Sequence, residues 1–167
     1  MRLLVLILCL CTNASWASYA VLDVDQVVND SVAYVEFKAT WDKVNKKYKQ
    51  EIEDYERKIG KLDKAIASSN NSQDSTDSRK VLGEYEIIVQ KLMQKRTKVL
   101  DQSMVAALDK LREEIAECVK IYAENNDVDL VIPKSQIIYS DADSDITFNI
   151  VAILNNRLQK INIEIER

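Results

Sequence analysis

The sequence predicts a mainly α protein: a long antiparallel coiled-coil helical hairpin rooted in a small β-sheet body, with the sheet completed by association of chains. Three observations predict it. Apolar residues recur by threes and fours along two runs in the middle of the chain, a wholly polar stretch separates those runs, and short β-like segments stand at both ends. Two glycines and one proline in 167 residues leave little material for a turn-rich all-β fold, and the length suits one domain.

The chain opens with Met1-Arg2, an apolar run from Leu3 to Leu10, and small residues at Ser15 and Ala17. A charged start, a short apolar core and small residues before a cut are the parts of a secretory signal, so residues 1–17 read as a signal peptide cleaved after Ala17. That core is far shorter than the roughly 20 residues a membrane span needs, and no later stretch is apolar enough to span. Residues 18–167 then form a single soluble domain, with a body from 18–32 and 118–167 and hairpin arms from 33–117.

Tyr19 to Val24 resembles a strand. From Phe37 the apolar positions are Trp41, Val44, Tyr48, Ile52, Tyr55, Ile59, Leu62 and Ile66, the seam of a first arm roughly 50 Å long. Residues 68–78 are all small and polar and read as the loop. Leu82, Tyr85, Val89 and Met93 resume the spacing, which passes one polar position at Thr97. It then runs through Leu100, Met104, Leu108, Leu111, Ile115, Cys118 and Tyr122, a second arm of roughly 65 to 70 Å. Long arms joined by a short loop fold back antiparallel. Gly60 and Gly83, inside helical pattern, mark bends or close helix contact rather than phosphate turns.

Val128 to Ile132 and Gln136 to Tyr139 read as two more strands around Pro133, followed by a helix from about Ile146 to Gln159. Ile161 to Ile165 alternates with period two and could add a strand. A sheet this small is unstable alone, and oligomerisation is the usual remedy.

The residue inventory excludes several functions. There is no histidine, no Gly-rich phosphate loop and one cysteine, Cys118, after the signal, so nucleophile-plus-base catalysis lacks its parts and no enzyme, cofactor or metal is expected. Cys118 falls on an apolar helical position and reads as a core residue. Asp141, Asp143 and Asp145 imitate the opening of a calcium loop. However, Ile146 stands where that loop needs glycine, so a turn with an Asp145 or Thr147 helix cap is the better reading. With Arg2 removed, the remaining 22 basic and 27 acidic residues argue against nucleic acid as a partner.

The segments Ala20 to Ser31, Asp129 to Ile132, Ile137 to Asp141 and Asp145 to Thr147 resemble, in order and spacing, the two ends of the Skp/OmpH family of periplasmic chaperones. The arms match in length and pattern. The resemblance implies a homotrimer whose β-sheet body carries three helical hairpins around a cavity. It also implies an ATP-independent holdase for unfolded outer-membrane β-barrel proteins in the periplasm, with peripheral contact with membrane lipid as a further partner. The best-known members are strongly basic and this chain is acidic, and the tail from Ile161 to Arg167 runs beyond the family pattern. The rival class is a structural hairpin, a spacer or adaptor for one fixed partner, but its loop carries neither the apolar nor the arginine anchor such docking uses.

Two surfaces are candidates for client contact. Ile88, Leu92 and Val99 form a second apolar stripe beside the seam stripe that includes Met93. On pattern alone this stripe could equally serve the arm's own packing, and the resemblance favours contact. Folding about Gln73 brings Lys46, Lys47 and Lys49 level with Lys95, Arg96 and Lys98, a basic belt whose plainer reading is a solvated face.

Overall fold

The computed structural model of the protein describes residues 18–68 and 72–162. Residues 1–17, which include the signal-like segment, lie outside the described part, as do residues 163–167. The elements in chain order are β1 (Tyr19–Leu22), α1 (Val24–Asp30), α2 (Val32–Ser68), α3 (Ser72–Asn126), β2 (Leu130–Pro133), two single 3-10 turns at Lys134–Gln136 and Ala142–Ser144, and α4 (Thr147–Arg157).

β1 stops at Leu22 because Asp23 is a helix cap, its carboxylate accepting the Gln26 N–H at 2.9 Å, so that Val24 is helical. Ser31 then divides α1 from α2. Its hydroxyl donates to the Val28 carbonyl at 3.1 Å and accepts the Tyr34 N–H at 3.2 Å, closing one helix and opening the next from a fully buried position. Asn155 of α4 accepts the Val32 N–H at 2.9 Å, satisfying another donor of the first turn of α2.

α2 and α3 form the arms. Their 37 and 55 residues correspond to about 55 and 80 Å of helix, longer than the periodicity alone indicates. α2 begins at Val32 rather than Phe37, and most of the difference in α3 lies in the loop. Residues 72–78, read as irregular, belong to α3. Serine and aspartate lower helix propensity by only tenths of a kcal/mol each, and the stretch contains no glycine or proline to break a helix. Gly60 and Gly83 stand inside unbroken helix, and a Cβ at either would meet nothing within 4 Å, so neither marks a close helix contact. Tyr48, Ile66, Val89 and Leu100 are buried along the seam, and the Trp41 indole donates across it to the Leu100 carbonyl at 3.1 Å.

α3 ends on Asp127 in the left-handed region (φ 52°), and the Val128 N–H reaches back to the Ala123 carbonyl at 3.1 Å. The turn aims β2 parallel to β1, pairing Tyr19 with Leu130 through Leu22 with Pro133. Parallel strands require a crossover, and here the whole hairpin is the crossover.

The third strand expected at Gln136 to Tyr139 does not form within the chain. Pro133 ends β2, Lys134–Gln136 make one 3-10 turn, and Ile138 and Tyr139 stand fully out in solvent. A strand needs a ladder partner. The far side of β1 is already occupied, with a bridge to Asp145 and the Ile146 N–H on the Val21 carbonyl at 2.9 Å. The last helix is α4, within the expected span, with its first turn tied to β1 through the Asp23 N–H on Thr147 Oγ1 at 3.0 Å. Ile161 and Asn162 carry no strand pairing, and Ile163 to Ile165 lie outside the described residues.

The body core joins Ala20, Leu22, Val27, Leu111, Ile115, Cys118, Ile146, Ile150 and Leu154. Leu111 and Ile115 come from the root of α3, so the second arm passes directly into the body. Cys118 is fully buried there, and burial pushes its thiol pKa up, keeping it protonated.

Candidate binding surface on the hairpin

In a two-helix hairpin each helix buries one stripe and leaves the rest to solvent. Which stripe of α3 is buried therefore decides what it can offer a partner. Val89 and Leu100 are buried, while Leu92 and Val99 are half-buried at the edge of the seam. Ile88 is 52% exposed and Met93 43% exposed. Met93, counted with the seam from spacing, thus sits on its rim, and only Ile88 of the second stripe is free of the arm's own packing. The same stretch of α3 exposes two residues not singled out from the pattern, Val81 and Ile87. Val81 precedes Ile88 by seven residues and so shares its side of the helix, a spacing that would have found it.

The polar position of the seam is not Thr97, which is exposed, but Arg96. Its guanidinium carbon lies 4.2 Å from the centroid of the buried Tyr48 ring, and Nη2 donates to Glu51 Oε2 at 3.2 Å. Its Nε is buried without a partner. These contacts across the arms put Arg96 level with Tyr48 and Glu51, the register that folding about Gln73 requires. Lys46, Lys47, Lys49, Lys95 and Lys98 are exposed at the same level. The belt thus consists of these five lysines, while Arg96 faces inward.

The body offers a different surface. Tyr19 and Leu130, paired in register, are both about half exposed, and Ile138, Tyr139 and Phe148 project into solvent. β2 has β1 as its one neighbour among the described residues, leaving its other edge open.

The acidic loop before α4 is committed to protein donors. Asp145 accepts the Thr147 N–H at 3.0 Å and its hydroxyl at 2.5 Å, and pairs with Lys134 Nζ at 2.8 Å. Asp141 accepts from the Tyr139 hydroxyl at 3.1 Å. Asp145 thus stands one residue before Ile146, the N-cap of α4, and satisfies the first N–H of the helix. Among the described residues no group of three or more acidic, histidine or cysteine side chains is placed to hold a metal ion. No helix among them is long and apolar enough to cross a membrane.

No curated protein matches the chain. A solved structure from Caulobacter crescentus, described as a candidate outer membrane chaperone (OmpH-like), shares the fold with a TM-score of 0.81 at 15% identity, covering 92% of each chain. A family model described as "Outer membrane protein (OmpH-like)" matches residues 18–154, the body and both arms together. The chain therefore belongs to the OmpH-like family.

Proposed function

We propose that this protein is a holdase chaperone: it binds unfolded outer-membrane β-barrel proteins in the periplasm and keeps them from aggregating, without ATP. The observation that carries the reading is the arm surface. Val81, Ile88 and Met93 are large apolar side chains left exposed along α3, in a hairpin whose own seam is already filled. Exposed apolar surface flanked by lysines suits an unfolded chain, which offers scattered apolar side chains rather than one shaped epitope. Methionine adapts to many such partners.

Membership of the OmpH-like family supports the reading. A homotrimer completes it. The open edge of β2 and the exposed Tyr19, Leu130, Ile138 and Tyr139 are surfaces a second copy would cover, and three hairpins around one body would enclose clients between them. The periplasmic location rests on the signal-like residues 1–17.

The test is dilution of an unfolded β-barrel membrane protein from denaturant into buffer with and without this protein, followed by light scattering in the absence of nucleotide. Suppressed scattering is expected. Changing Val81, Ile88 and Met93 together to Ser should weaken suppression and leave the melting curve unchanged, because exposed side chains contribute little to the fold. Full suppression by that stable variant would remove this surface as the client site, and no suppression by the unaltered protein would overturn the reading.

A further inference from the structure

Residues 155–162 lie beyond the 18–154 that the family model matches, and they stay against the body. α4 closes with the Leu158 N–H on the Leu154 carbonyl at 2.8 Å, and the backbone then runs against the root of the hairpin. Arg157 donates to Glu114 of α3 at 3.3 Å, and Lys160 pairs with Glu36 of α2 at 3.6 Å. Glu114 is also held by Lys110 at 2.8 Å, and the lysine's hydrogen bond is the leading cause of a carboxyl pKa below the ordinary range. Leu158 and Ile161 are half-buried against the body core.

Two clefts show where this segment lies. One, of about 680 Å³, separates it from α3 at Val99, Ser103, Ala106 and Ala107. The other, of about 220 Å³, separates it from α2 at Glu36, Phe37 and Thr40. Lys160, Ile161 and Asn162 line both, so the segment faces the two arms at once. The sequence supplies a reason. Farther out, tyrosine, isoleucine, valine and leucine fill the seam, and on the side of α3 that faces the larger cleft stand Ser103, Ala106 and Ala107. Their short side chains leave room for the segment to lie beside α3.

We propose that Leu158–Asn162 is a strap that ties the two arms together at their root and sets how far they splay, with Ile161 as the side chain that bridges them. Arm opening is then governed from the C-terminal side of the body rather than from the hairpin tip. In the client-holding reading, on which this one consequence rests, release of the strap also uncovers Val99 and Ala107 and extends the apolar flank of α3 toward the body.

The test is hydrogen exchange on the full-length protein carrying Ile161→Asp, with circular dichroism and sedimentation to establish that it folds and assembles as the parent does. Amides of Phe37 to Trp41 and of Ser103 to Ala107 should exchange about tenfold faster or more, while those of Ile150 to Leu154, and those around Tyr48 and Val89, keep their rates. Unchanged exchange at the root, or equal acceleration everywhere, overturns the proposal, the second because it would make Ile161 ordinary core packing. Should Ile161→Asp not fold, Ile161→Ala is read by the same criteria. The exchange pattern is independent of client, so a failure of the strap and a failure of the holdase reading remain distinct results.

Discussion

Replacing Arg96 by Met and by Ala separates what holds the middle of the hairpin. The ion pair to Glu51, whose side chain is 35% exposed, contributes about 0.5 kcal/mol after solvent screening. The cation–π contact over Tyr48 contributes about 1 kcal/mol. Against these stands the buried Nε without a partner, an unmet donor costing about 1 to 2 kcal/mol. Arg96→Met keeps an apolar stem and removes all three, so its net effect lies within about 1 kcal/mol of zero. Arg96→Ala removes the stem as well, two methylenes at about 0.8 kcal/mol each, and should cost about 2 kcal/mol. Thermal unfolding followed by circular dichroism, at one protein concentration so that any association is held fixed, should place Arg96→Ala about 4 to 8 °C below the parent. Arg96→Met should fall within about 3 °C of it. A methionine variant as unstable as the alanine one would refute the reasoning, since the polar contacts rather than the stem would then be holding the arms.

Gly60 and Gly83 sit in helix interiors with open space where a Cβ would go, so replacing each with Ala should raise stability by about 0.8 to 1 kcal/mol, and a falling melting temperature would contradict the fit. Asp145 titrates in acid: burial raises its pKa, but the hydrogen bonds from Lys134 and Thr147 outweigh it and bring the group down from 3.8 to about 2. The depressed value means its stabilisation is complete above the unfolded pKa and is lost as pH falls from about 4 toward about 2. With screening at the half-exposed Lys134 this amounts to about 1 kcal/mol, and Asp145→Asn should flatten that part of the acid-unfolding curve while Asp143→Asn does not. At the body, Ile138→Asp with Tyr139→Asp should lower the sedimenting mass without loss of helicity, and an unchanged mass would clear those residues of any part in assembly.

Periodicity makes the arms legible because each seam residue must return to the same face every three or four positions, and Tyr48, Ile66, Val89 and Leu100 do so. It fails where the pattern offers two phases. Val89 with Ile88, Leu92 with Met93, and Leu100 with Val99 are adjacent apolar pairs, and the partner helix chooses between them. Tyr48 and Glu51 draw Arg96 inward, and Thr97 and Met93 turn out toward solvent. Alternation likewise reports a strand's side chains and not its ladder partner, so Gln136 to Tyr139 reads as a strand although among the described residues it pairs with neither β1 nor β2. The polar loop reads too long because serine and aspartate are weak helix formers rather than breakers, and α3 runs through residues 72–78. The proposed strap is not readable, since the alternation that begins at Ile161 suggests a strand and says nothing of the arm roots.

The parallel pairing of β1 with β2 has a consequence for the order of folding. Tyr19 cannot meet Leu130 until 110 intervening residues have been made and brought back on themselves, and closing so long a loop in an open chain is entropically costly. The hairpin removes most of that distance. Once α2 and α3 have zipped through contacts nearest their shared turn, Val32 and Asn126 project from the same end and only short connections remain. The sheet is thus the last contact to form, although one of its strands is among the first residues described. Pulse-labelled exchange should find amides near Tyr48 and Val89 protected before those of Ala20 and Val131, and the reverse order would show that the body can nucleate without its arms.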